Sequence, residues 1–362
     1  MNPCTIEITN LIQIPTTPAS GTVILTVTAT GGSEIYEYSF NNSGTRQSGS
    51  SATFSTNTSG IIMVRDSMGR TASTGYSITN IDNTLPEAVS VNYSPSSNTN
   101  QSVEVTLIIN KEVQSIPGWT GTGTTWTRIY ASNTTETVTF YDLVGNSGST
   151  GIEITWIDKT PVTCTVTYDP SGKTNQDVTA TLTGCNKDIT VTNNSGNMTY
   201  IFTGNGEFTF EYEDDYGNTG SSKAEISTID KDPITCTLVY DPEGKTNTDV
   251  TVTLTGCNKD ITVTNNSGDT TYIFTGNGEF TFEYEDDYGN TGSKTINIST
   301  IDKAPVTCSV TYSPATNTNQ DVVATLTGCN KDIEVTNNSG INYTFIEDGE
   351  FTFEFIDAAG NT

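Results

Sequence analysis

Seven cysteines and a regularly spaced set of aspartates are the residues of this 362-residue chain whose types and spacing could do chemistry. Six of the cysteines fall in pairs, Cys164 with Cys185, Cys236 with Cys257 and Cys308 with Cys329, and each pair brackets a turn. Antiparallel pairing about that turn sets the two thiols opposite each other, so a cross-strand disulfide is available to each pair. The stretch before them tests the pairing: Val89 stands where Cys164 would be, and Ile109-Asn110 where Gly184-Cys185 would be, so both cysteines are missing together. Strict alternation turns Cys164 inward and Cys185 outward, and a bulge at Gly184 is expected to reconcile them. Reduced, buried thiols are the alternative. A bridge of this span closes a loop of about 20 residues and contributes about 3 kcal/mol by chain entropy. It also implies an oxidising, extracellular compartment. Cys4 has no partner in its unit and reads as a strand residue, with an interchain link as the alternative. No Cys-x-x-Cys occurs and the chain has no His, so zinc ligand sets lack members.

The aspartates recur in step. Asp158, Asp188, Asp214 and Asp215 form one set, Asp230, Asp260, Asp286 and Asp287 the next, and Asp302, Asp332 and Asp357 a third. If each set gathers at one pole of its domain, its oxygens suit a hard cation, and calcium at interdomain junctions is the candidate. The competing reading is that Asp-x-x-Gly is a plain hairpin turn, with Asp bonding its own backbone and Gly supplying positive φ. Acid pairs such as Glu211 and Glu213 share an outward strand face with no cleft beside them, so glycosidase chemistry is disfavoured. Lys187, Lys259 and Lys331 lie in polar loops rather than buried beside an acid, which disfavours an isopeptide cross-link. The absence of His removes serine–histidine triads and histidine general bases by composition. With 15 Lys and Arg against 42 Asp and Glu, the net charge of −27 argues against nucleic acid as a partner.

The elements that must position these residues repeat along the chain. Ile157-Asp-Lys-Thr-Pro161-Val-Thr-Cys164 returns as Ile229-Asp-Lys-Asp-Pro233-Ile-Thr-Cys236 and as Ile301-Asp-Lys-Ala-Pro305-Val-Thr-Cys308, a period of 72 residues. A looser unit opens at Ile81, and the first 80 residues form a more distant one. All five end near an Asp-x-x-Gly: Asp66 to Gly69, Asp142 to Gly145, Asp214 to Gly217, Asp286 to Gly289 and Asp357 to Gly360. Within a unit the pattern alternates with period two, as in Val178, Ala180 and Leu182 or Phe208, Phe210 and Tyr212, so the elements are strands.

The expectation is therefore an all-β, extended tandem array of five small immunoglobulin-like β-sandwich domains, at 1–81, 82–157, 158–229, 230–301 and 302–362. Six strands per unit are clear. A seventh pass or bridging segment is expected around Asn193 to Met198, and the last unit is expected to be truncated before its final strand. No apolar run approaches the roughly 18 residues that span a bilayer, and MNPCTIEITNL lacks the features of a signal peptide. In the second unit Trp119, Trp126 and Tyr130 cluster near Gly121 and Gly123, where exposed aromatics could stack on sugars; burial in the core is the alternative.

The joint Ile-Asp-Lys-x-Pro, the Tyr-x-Pro loop, the run Gly349-Glu-Phe-Thr-Phe-Glu-Phe355 and Asp357-Ala-Ala-Gly-Asn361 resemble the bacterial immunoglobulin-like repeats of large cell-surface adhesins, over residues 82 to 362. The first unit, with Gly31-Gly-Ser-Glu-Ile-Tyr-Glu-Tyr38 and Val64-Arg-Asp66-Ser-Met-Gly69, is similar to repeats of gliding-motility adhesins. The resemblance implies non-enzymatic stalk modules at the cell surface, with extracellular proteins or glycans as partners and self-association open. Two alternatives are a carbohydrate- or protein-binding module in the first two units, and a decoration or fibre protein of a bacterial virus.

Overall fold

The computed structural model describes residues 5–42 and 44–362 and consists of short antiparallel strands joined by turns. Cys4 lies outside the described residues. The chain divides into two compact units, one of residues 1–163, 185–192 and 211–220 and one of residues 164–184, 193–210 and 221–362.

In the first unit, strands Ile6–Ile14, Val23–Gly31 and Ser51–Phe54 form one sheet, and Tyr36–Ser39, Thr58–Asp66 and Thr71–Ile78 form another. Val23, Leu25, Val27, Ile62, Val64 and Ile78 fill the space between them. The second repeat pairs a four-stranded sheet (Ala88–Ser94, Val103–Ile109, Thr125–Tyr130, Thr120–Thr122) with the hairpin Thr134–Tyr141 and Ser147–Ile154.

In the second unit, the fourth repeat shows the design most fully. Thr237–Asp241, Val250–Thr255 and Thr271–Phe274 make one sheet; Thr262–Val263, Gly278–Glu285 and Thr291–Ile298 make the other. Alternation turns Val250, Val252 and Leu254 inward onto Phe282, Tyr284, Ile296 and Ile298 and leaves threonines outside, which suits β-branched side chains on a pleated surface. First, second and fourth strands against third, fifth and sixth is the order of an immunoglobulin-type sandwich short of one strand. Where a seventh pass is expected, the chain makes the 3-10 turn Asn266–Gly268, as it does at Asn194–Gly196 in the third repeat. In the fifth repeat the second sheet has two strands, Ile333–Val335 and Phe355–Asp357.

Cys236 and Cys257 are joined, with sulfurs 2.05 Å and Cα atoms 4.0 Å apart, as are Cys308 and Cys329 at 2.08 Å and 4.0 Å. Cys164 and Cys185 are also disulfide-bonded. The glycine before the second cysteine leaves the ladder at positive φ (Gly256 at 58°), which turns Cys257 onto the same core as Cys236. The second repeat solves the register differently: its extra residue is Val89, bulged from the first strand between Ala88 and Ser90. The Asn110 amide then bonds the Glu87 carbonyl as the Asn258 amide bonds that of Thr235. Asn110 therefore corresponds to Asn186, and buried Ile109 fills the cysteine's place. This corrects the ungapped correspondences of Asn110 with Cys185 and of Val89 with Cys164: the glycine is an insertion in one repeat and Val89 in the other, so Ala88 takes the place of Cys164.

Candidate functional site at the joints between repeats

The residues that recur most regularly meet where one repeat hands the chain to the next. At the joint after the third repeat, Ile229 lies beside Thr174 as an isolated parallel bridge and is buried. The Asn205 side chain acts as a backbone mimic: its Nδ2 donates to the Ile229 carbonyl at 2.9 Å and its Oδ1 accepts the Ile229 N–H at 2.8 Å. The next residue already belongs to the following repeat. The Asp230 N–H still bonds the Thr174 carbonyl at 3.0 Å, but the Asp230 carboxylate accepts Lys259 Nζ at 2.9 Å. The Asp230 carbonyl accepts Asn290 Nδ2 at 2.9 Å. No residue is left over as a free linker.

Asn290 follows the Asp-x-x-Gly turn, and the turn's own aspartate completes the network. Asp286 Oδ1 accepts the N–H groups of Tyr288 and Asn290, and its Oδ2 accepts Asn290 Nδ2 at 2.9 Å and Lys259 Nζ at 3.3 Å. Across the joint, Asn175 Nδ2 donates to the Gly289 carbonyl at 2.6 Å. Lys173 pairs with Asp287 at 3.0 Å and lies over the Tyr288 ring.

The same trio of one lysine and two aspartates stands at every joint. Lys111 holds Asp82 and Asp142, both at 2.7 Å; Lys187 holds Asp158 at 3.0 Å and Asp214 at 2.8 Å; Lys331 holds Asp302 at 3.0 Å and Asp357 at 2.8 Å. The donors from the preceding repeat to the following repeat's turn recur as Asn100 to Gly217 at 2.6 Å and Asn247 to Gly360 at 2.8 Å, with Ser20 to Val144 at 2.9 Å at the first joint. In the first repeat, Arg70 takes the lysine's part against Asp66 at 2.8 Å.

These contacts set the electrostatics. Burial pushes the Asp214 carboxyl up, but the Lys187 ammonium, the Asn218 amide and two backbone N–H groups outweigh it and bring it to about 2. Asp142 reaches about 2 through the corresponding partners. For Lys187, the Asp214 carboxylate raises the ammonium above its ordinary 10.5, against a smaller cost of burial.

The structure places the predicted cation ligands as follows. Asp158 with Asp214, Asp230 with Asp286 and Asp302 with Asp357 do come together, each pair on its own repeat's lysine. Asp188, Asp215, Asp260, Asp287 and Asp332 are exposed and stay out of the trio. The oxygens of Asp214 face four protein donors (Lys187, Asn218 twice and Tyr216), so this set does not fit calcium. Among the described residues no three acids or cysteines gather as a metal site. Sequence reasoning missed Lys111, Lys187, Lys259 and Lys331 as the cations of the site, and Asn146, Asn218, Asn290 and Asn361 as the residues that grip the linker. Their recurrence in step with the aspartates was the available signal.

The aromatic cluster is corrected outright. Trp119, Trp126 and Tyr130 are 8%, 4% and 6% exposed and belong to the core of the second repeat. Trp119 and Tyr130 meet edge to face, and Tyr130 donates its hydroxyl to Glu136. Rings closed off in this way cannot stack on a sugar.

No protein-family model and no curated protein matches the chain. Among solved structures it is similar to a Ca2+-stabilized adhesin with which an Antarctic bacterium binds ice, at 16% identity over 80% of this chain and 97% of that one, with a TM-score of 0.36. It is also similar to a tetra-tandem repeat from the extending region of a large adhesion protein, at 17% identity over 83% and 99%, with a TM-score of 0.25. A third likeness is to a 1.5-MDa bacterial ice-binding adhesin, at 15% identity over 82% and 96%, with a TM-score of 0.26.

Proposed function

We propose that this chain is a repeat segment of an extracellular surface adhesin. On this reading it works without catalysis, as a stiff spacer that holds whatever adheres away from the cell surface. The observation that carries the proposal is the joint: Ile229 is pinned to one repeat and Asp230 to the next, with no free residue between them. A chain selected for presentation at a distance benefits from joints that resist bending. The disulfides fit an oxidising exterior, and the net charge of −27 discourages neighbouring copies from collapsing onto one another. The partners on this reading are cell-surface or extracellular proteins and glycans.

Small-angle scattering of the whole chain tests the proposal. Five β-sandwiches end to end give a maximum dimension on the order of 150–200 Å, and disabling two trios with Lys187→Met and Lys259→Met shortens it. A radius of gyration of about 20 Å, as for one compact body of this length, would sink the proposal.

A further inference from the structure

We infer that Asn205 and Asn277 are sites of spontaneous deamidation, held in check by the same bonds that pin the linker. They stand in the two Asn-Gly steps of the sequence, Asn205-Gly206 and Asn277-Gly278. A following glycine presents no Cβ to hinder attack of its nitrogen on the asparagine side chain. The backbone does not require that glycine. Neither Gly206 nor Gly278 adopts positive φ, and a Cβ built on either meets nothing within 4 Å. The corresponding steps of the first two repeats are Asn57-Thr58 and Asn133-Thr134, and these asparagines pin Ile81 and Ile157 in the same way. The labile step is thus an addition to a clamp that works without it.

The chemistry balances with water as the only co-reactant. The Gly206 nitrogen attacks Cγ of Asn205, an N–Cγ bond forms and the Cγ–Nδ2 bond breaks. Nδ2 leaves as ammonia, taking the amide proton. Water then opens the succinimide at either carbonyl, giving aspartate or isoaspartate. In the folded chain the Asn205 side chain is spent on both polar groups of Ile229, at 2.9 and 2.8 Å, and Asn277 on those of Ile301, both at 2.9 Å. Turning Cγ toward the next nitrogen breaks both bonds, so the reaction waits on local opening of the joint. Two such bonds slow it by on the order of tenfold or more. Once converted, the side chain has lost its donor to the isoleucine carbonyl, and the linker is held by half a clamp. The modification stands on geometry alone; its consequence for stiffness rests on the spacer reading above.

Peptide mapping by mass spectrometry, on the whole chain incubated in buffer and in urea, tests the inference. Asn205 and Asn277 should convert faster than the other asparagines in urea and on the order of tenfold more slowly in buffer. Gly206→Ala with Gly278→Ala should stop the conversion in urea and leave the melting temperature unchanged. Equal rates in buffer and urea, or conversion that survives the alanine variants, would overturn the proposal. Scattering from Asn205→Asp with Asn277→Asp separates the two claims. A shortened particle supports the mechanical consequence; an unchanged curve removes that consequence while the chemistry stands.

Discussion

Asn218 donates its side-chain amide to the backbone carbonyl of Asp158 at 2.9 Å, 60 residues earlier in the chain. The contact hangs the last hairpin turn of a repeat on the residue through which the chain enters it. It also explains why Asn follows Asp-x-x-Gly in four of the repeats. A turn alone would need only the aspartate and the glycine, whereas a joint needs a donor aimed at the linker.

Lys187 bears on a carboxylate that is almost fully buried, Asp214 at 2% exposure, and Lys231 pairs with the half-exposed Asp177. Lys187→Met is therefore expected to lower the melting temperature of its repeat by several degrees, because it strands two acids against each other. Lys231→Met should have little effect. Differential scanning calorimetry compares them; equal effects would remove the trio's special status.

Acid should dissolve the joints late. The Asp214 carboxyl titrates near 2 in the folded chain and near the ordinary 3.8 when unfolded, so the unfolded chain takes up the proton first as pH falls. The stabilisation is complete above about pH 4 and is lost between there and about pH 2. The raised Lys187 ammonium works in the opposite sense: its contribution is complete below the ordinary 10.5 and is lost at higher pH. Melting temperature should therefore be flat through the neutral range, where a chain without His has little else to titrate. A decline beginning at pH 6 would contradict this.

Calcium should change little. The oxygens of Asp142 face Lys111, the Asn146 side chain and the N–H groups of Val144 and Asn146, and offer no open pair of oxygens. Thermal melting in calcium and in chelator should superimpose, and a rise on adding calcium would show that the trio yields to the ion.

Reduction should discriminate among repeats. Each bridge spans 21 residues of sequence, worth about 3 kcal/mol by chain entropy. Reductant should lower the melting of the fourth and fifth repeats and leave the second, which has Ala88 and Ile109 instead, where it was. Intact mass counts the bridges opened. A uniform fall across the array would mean that the bridges do not act locally.

The sequence was most legible where information is local. The 72-residue period, the alternation of Val250, Val252 and Leu254 and the pairing of Cys236 with Cys257 all follow from spacing along one or two strands. The joint was half legible. Asp158 and Asp214 were expected together and are together, but acids at one pole suggested an added cation, whereas the chain supplies its own. Lys187 is 27 residues from Asp214, and only the closed sandwich brings the two within 2.8 Å. The aromatic cluster failed for a similar reason. Trp119 lies in an irregular stretch where strand periodicity gives no inward or outward sign, and the fold buries it.

Asn175 reaches forward from the third repeat, and Asp230, Lys259 and Asn290 of the fourth receive the chain, so each copied block carries both halves of its coupling. Gene-level gain or loss of whole blocks then needs no new seam: any block can follow any other. On the spacer reading proposed above, selection could then set the reach of such an array by counting copies.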